Sequence, residues 1–191
     1  MKTFLTALVI LTATAAVAGD LHGKVECKGV RNCADAVVYV AGAPGKTFDP
    51  PAEHAKINQI NLTFVPRVLP VLVGTTVDFL NSDAVLHNVF SPDICCQKFN
   101  LGTWPKGEFK SYTFKNECVA TLLCKVHPEM EAFVVAVPTP YFAVAKPDGS
   151  YSIAGVPDGS YTVKVWHPKL KGVEKPLAVK GATSADFALG K

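Results

Sequence analysis

Cys124-Lys125-Val126-His127-Pro128-Glu129-Met130 places a thiol, an imidazole and a thioether three residues apart. A loop that short can bring three side chains to one side of a single metal ion. A second imidazole stands upstream in Leu86-His87-Asn88-Val89-Phe90. Both stretches adjoin segments that read as strands, at residues 85–90, 119–123 and 133–137, where apolar and β-branched residues concentrate. Met130 is informative because the only other methionine is Met1.

Two His, one Cys and a weak axial Met form the ligand set of a blue-copper electron-transfer site. Thiolate and thioether favour Cu(I), while imidazole also serves Cu(II). An intermediate geometry keeps reorganisation small when one electron moves. A Cys-x-x-His alone is shared with many zinc sites, but zinc does not seek a thioether. The four residues together resemble the cupredoxins, with a short Pro-containing loop of the amicyanin and pseudoazurin type. Phe64-Val65-Pro66 and Val73-Gly74-Thr75-Thr76-Val77-Asp78-Phe79-Leu80-Asn81 also resemble the cupredoxin run into the first His ligand. That resemblance implies a Greek-key β-sandwich over residues 53–138. It implies one type 1 copper per chain, held by His87, Cys124, His127 and Met130. It further implies that Asn88 steadies the thiolate loop by hydrogen bonds. His127 would lie at the exposed edge, where the electron leaves.

The remainder of the chain also reads as all-β. Fourteen Gly and fourteen Pro in 191 residues favour short strands joined by turns. Further strands are expected at 24–26, 36–40, 59–73, 75–81 and 109–114. Residues 43–55 read as a connector with a helical turn near its end. Pro147-Asp148-Gly149-Ser150-Tyr151 and Pro157-Asp158-Gly159-Ser160-Tyr161 are turn signals, with Pro at the first turn position and Gly accepting positive φ. Alternation after each turn predicts a meander. The flanks together resemble a transthyretin-like, carboxypeptidase regulatory-like sandwich. The expected organisation is therefore a second small β-sandwich, discontinuous over 19–52 and 139–191, with the copper domain inserted. Such a module reads as a docking element, with Trp166, Tyr141 and Phe142 as core or interdomain contacts. Proteins that pair these two parts include some labelled as methylamine utilisation proteins, a label these residues do not themselves carry.

Residues 1–18 fit a secretory signal peptide. Met1-Lys2 is a positive start, an apolar run follows, and Ala16-Val17-Ala18 supplies small residues before Gly19. The apolar run is short for a membrane span. The chain is therefore expected to be periplasmic or secreted, with no membrane attachment after cleavage. Disulfides persist in such compartments.

Six cysteines, less the one assigned to copper, leave five and at most two disulfides. Cys27 and Cys33 flank a short turn and form the best pair. Cys118 stands where similar cupredoxins place a turn glycine, and a bridge from Cys95 or Cys96 would tie the loop after His87 to the ligand strand. The sequence leaves open which of the two pairs. A rival reading makes Cys95-Cys96 a reactive dithiol or second Cu(I) site. His22, His54 and His167 read as surface residues.

Nineteen Lys+Arg against sixteen Asp+Glu give a net charge of +3, too small to favour nucleic acid as a partner. No nucleophile–base arrangement suggests an enzyme. The expected function is a one-electron carrier whose redox partner, a dehydrogenase or c-type cytochrome, docks near His127. The alternatives are a copper-sequestering or copper-delivery protein, and a relay subunit of a larger oxidoreductase.

Overall fold

The computed structural model describes residues 18–191. Apart from Ala18, the expected signal peptide lies outside them. The described residues form four sheets, and no helix among them is long and apolar enough to cross a membrane. Two of the sheets draw their strands from the flanks. One sets β1 (Ala18–Cys27) between β13 (Ser150–Pro157) and β16 (Thr183–Ser184), with β17 (Phe187–Leu189) also on β1. The other runs β12 (Phe142–Val144), β2 (Val37–Val40), β14 (Gly159–His167), β15 (Leu170–Val179). These flank strands pair with one another and with no strand between residues 55 and 137.

The middle of the chain supplies the remaining two sheets. The first runs β4 (Thr63–Val65), β3 (Ala55–Ile60), β6 (Thr76–Asn81), β9 (Phe109–Thr113). The second runs β5 (Val68–Leu72), β11 (Glu131–Val137), β10 (Cys118–Leu123), β7 (His87–Ser91), β8 (Phe99–Trp104).

Side-chain periodicity explains the layering. In β1, Leu21 and Val25 turn inward while Asp20, His22 and Lys24 face out, the period-2 pattern of a strand with one wet face. They join Val38, Val40, Ile153 and Val163 in the core between the flank sheets. A second core, with Ile57, Phe79, Trp104, Phe114 and Leu122, fills the space between the two middle sheets. Val37-Val38-Tyr39-Val40 and Ala132–Val137 do not alternate, because both of their faces are covered. A third cluster of Val37, Val68, Phe133, Val135 and Val137, with Tyr39 and Trp166 against it, joins the β2 sheet to the β11 sheet. The Phe133 and Trp166 rings are 5.3 Å apart. Arg67 bridges Asp35 and Glu131 and lies over Phe133.

Several sequence expectations are corrected. The long strand at 59–73 is broken into β3, β4 and β5: Asn61 and Leu62 adopt positive φ and reverse the chain between β3 and β4, and after Val65 the chain crosses to the other sheet, where β5 pairs with β11. Residues 41–54 contain no helical turn. The two Pro-Asp-Gly-Ser-Tyr segments do not build a meander: β13 joins β1, while β14 joins β2 and β15. Alternation reports a half-buried strand but not which sheet receives it. Only the first of the two glycines needs its conformational freedom. Gly149 takes φ +87°, and a Cβ there would fall 2.1 Å from the Val25 carbonyl oxygen. Gly159 instead begins β14 without positive φ. His167 is buried, not surface, and its Nδ1 accepts the Lys169 N–H at 3.1 Å in the β14–β15 turn.

Candidate metal centre

β10 ends at Leu123, paired with Phe90 of β7 on one side and Glu131 of β11 on the other. The next seven residues, 124–130, therefore form a tight connection at the end of the sheet. The Met130 N–H donates to the His127 carbonyl at 3.0 Å and closes the loop on itself. His87 opens β7, so its side chain leaves the same end of the sheet. The register of β7 against β8 shifts between Asn88 and Phe90, a bulge of the kind that re-aims side chains beside functional sites.

These elements bring His87, Cys124 and His127 together. Their ligand atoms all lie within 4.8 Å of one another. His127 Nδ1 is 3.1 Å from His87 Nδ1 and 3.9 Å from Cys124 Sγ. His87 and Cys124 are buried, and His127 is half-buried with exposed Val126 and Pro128 beside it. Met130 is buried in the same core as Cys124.

Asn88 sits where it can hold the loop. Its Oδ1 accepts the Lys125 N–H at 3.2 Å, directly after Cys124. Its Nδ2 donates to Asn100 Oδ1 at 2.8 Å and to the Gly102 carbonyl at 2.7 Å. The amide thus links β7, the β8 strand and the thiolate loop.

One contributor escaped the sequence reading. Asp83 Oδ2 lies 2.8 Å from His87 Nε2. Burial pushes the Asp83 carboxyl up, but the Leu62 N–H, His87 and the Asn61 N–H together pull it below the ordinary carboxylate value. Nothing in the local sequence marks this residue, because an Asp four positions before a His in a loop has no periodic signature.

The cysteines divide clearly. Cys27 pairs with Cys33, and Cys95 with Cys118. The second bridge ties the short 3₁₀ turn Ile94–Cys96 to the first residue of β10. The dithiol reading of Cys95-Cys96 is therefore overturned. Cys95 is bridged, and Cys96 is buried with its Sγ 3.2 Å from Ser91 Oγ and from the Asp93 carbonyl. Cys124 and Cys96 are the free thiols among the described residues, and only Cys124 faces imidazoles.

No protein-family model matches the chain, and no curated protein matches it. Solved structures do match. A purple cupredoxin from Nitrosopumilus maritimus is 28% identical over 43% of this chain and 98% of its own, with a TM-score of 0.39. Over about half its length the chain resembles the cupredoxins. A reduced mutant form of amicyanin is 22% identical over 53% of this chain and 98% of its own, at a TM-score of 0.42. A copper-containing nitrite reductase from Thermus scotoductus is 20% identical over 60% of this chain but only 28% of its own, at a TM-score of 0.44.

The donor set itself supports a cupredoxin-like metal centre. Two imidazole nitrogens 3.1 Å apart are spaced to share one ion, since metal–imidazole bonds run about 2.0–2.1 Å. One thiolate and two imidazoles favour a borderline-to-soft ion such as copper or zinc over a hard one.

Proposed function

We propose that this protein is an exported one-electron carrier with a single type 1 copper. His87, Cys124 and His127 would be the strong ligands and Met130 the weak axial one. The observation that carries this reading is the convergence of one thiol and two imidazoles at the end of a buried β-sheet. The bound metal would supply a Cu(II)/Cu(I) couple.

The chain's own contribution is a preset geometry. The Asn88 amide and the Met130–His127 hydrogen bond fix the loop. The Cys95–Cys118 bridge anchors the strand that leads to Cys124. The apolar core keeps water from the sulfur. His127 offers the shortest route to the surface, and a redox protein, either a dehydrogenase or a c-type cytochrome, would dock there. Exposed Val85, Leu86 and Val126 adjoin the two histidines in sequence and suit such a contact. Glu129, also exposed, would favour a basic partner surface. The flank sandwich would serve docking, and residues 1–18 would direct export to the periplasm or beyond.

The experiment is a redox cycle of the copper-loaded protein in the presence of a chelator. A carrier loses its visible colour on reduction, regains it on reoxidation and keeps its copper. Transfer of the metal to the chelator on reduction would instead mark a delivery protein.

A further inference from the structure

We infer that Asp83 is a positioning residue for the centre, setting which nitrogen of His87 faces the metal and raising its basicity. The inference rests on the reading of His87, Cys124 and His127 as a copper site. An ionised carboxylate can only accept hydrogen bonds. His87 Nε2, 2.8 Å from Asp83 Oδ2, must therefore carry the hydrogen. In the neutral ring that metal ligation requires, Nδ1 is then the bare lone pair, and Nδ1 is the atom that faces His127 Nδ1 at 3.1 Å. The His87 ring is fully buried, so no water competes for either nitrogen.

Asp83 is itself held from three sides. The Asn61 N–H donates to Oδ1 at 2.7 Å and the Leu62 N–H to Oδ2 at 2.9 Å. The Asp83 N–H donates to Asn81 Oδ1 at 2.9 Å. Asn61 and Leu62 are consecutive residues at φ 53° and 57°, which turns both of their amides toward the same carboxylate. The β3–β4 turn therefore grips Asp83, and Asp83 orients His87. A carboxylate paired in this way with a buried histidine fixes the tautomer and increases the ligand's basicity. The added negative charge favours the oxidised ion over the reduced one and lowers the potential.

Asp83→Asn keeps the shape but changes both properties. Its carboxamide brings no charge. If its Nδ2 turns to His87, it donates, and the imidazole hydrogen is displaced to Nδ1. The test compares wild type, Asp83→Asn and Asp83→Glu for Cu(II) affinity by chelator competition and for potential by equilibrium titration with a mediator. The expected results for Asp83→Asn are Cu(II) affinity weakened by about 10–100-fold and a more positive potential, with partial recovery in Asp83→Glu. Unchanged affinity and potential in Asp83→Asn, alongside an intact thiolate-to-copper band in wild type, would overturn the role of Asp83 and leave the copper reading standing. Absence of that band in wild type would overturn the copper reading itself. Should Asp83→Asn fail to fold, proton–nitrogen NMR of the metal-free wild-type protein, where no copper dictates the tautomer, decides. A protected hydrogen on His87 Nε2 supports the inference, and a hydrogen on Nδ1 refutes it.

Discussion

Asn88 and Lys125 are joined across the end of the sheet, the Asn88 side-chain carbonyl accepting the Lys125 N–H at 3.2 Å. The bond links the strand that bears one candidate ligand to the loop that bears two. Asn88→Ala removes it and also leaves the Gly102 carbonyl without its partner amide. The expected loss is about 1–3 kcal/mol, because groups at the edge of a buried site lose their hydrogen bonds. Urea unfolding of the metal-free protein measures it. A midpoint equal to wild type would mean that the loop holds its shape without Asn88.

The Cys95–Cys118 bridge closes a loop spanning 23 positions that contains β8 and β9. Constraining a loop of that length in the unfolded chain is worth about 2–4 kcal/mol. The double variant Cys95→Ser, Cys118→Ser should therefore unfold at a clearly lower urea concentration. Equal midpoints would show that the strand leading to Cys124 needs no covalent anchor.

His167 gives the flank sheets a pH dependence of calculable sign. Burial lowers its pKa below the ordinary value of 6.5, with Asp35 opposing the shift and Arg67 and Lys169 reinforcing it. The folded chain thus binds this proton less readily than the unfolded chain. Stability is greatest above pH 6.5 and falls as the pH drops from there through the depressed folded-state value. The neutral ring accepts the Lys169 N–H, a bond lost on protonation at Nδ1. His167→Asn should flatten this part of the profile. Wild type and variant losing stability in parallel between pH 7 and pH 5 would assign the effect to other groups.

Two glycines in near-identical sequence contexts should respond differently to alanine. Gly149→Ala forces a side chain into positive φ and against the Val25 carbonyl, and should cost about 1–3 kcal/mol or more. Gly159→Ala meets only the Tyr161 ring, whose nearest atom is at 3.0 Å, and its backbone is not strained. Thermal unfolding should rank Gly149→Ala well below Gly159→Ala. The reverse order would contradict the turn geometry.

Local chemistry and period were legible in the sequence; spatial partnership was legible only in part. The strands expected at 75–81, 119–123 and 133–137 from apolar and β-branched runs match β6, β10 and β11 to within two residues at each end. The pairing of Cys124 with His127 was legible in loop spacing, whereas His87, 37 positions upstream of Cys124, was joined to them only by the resemblance to the cupredoxins; the structure brings the three together. The break at Asn61-Leu62 did not, because two consecutive left-handed residues without glycine carry a weak signal. The burial of His167 depends on how the β14–β15 turn folds back, which no periodicity reports. The Asp83–His87 pair joins two loop-adjacent residues whose approach is set by the β3–β4 turn across the sheet. That both faces of the strand at residues 132–137 are covered was not read from its apolar run; the packing of Phe133 on Trp166 shows what covers one of them.

The most direct test of the central claim is the visible absorption of the Cu(II)-loaded protein beside Cys124→Ser. The account predicts an intense thiolate-to-copper band in wild type that the serine variant lacks. Weak copper absorption that is the same in both proteins would contradict it.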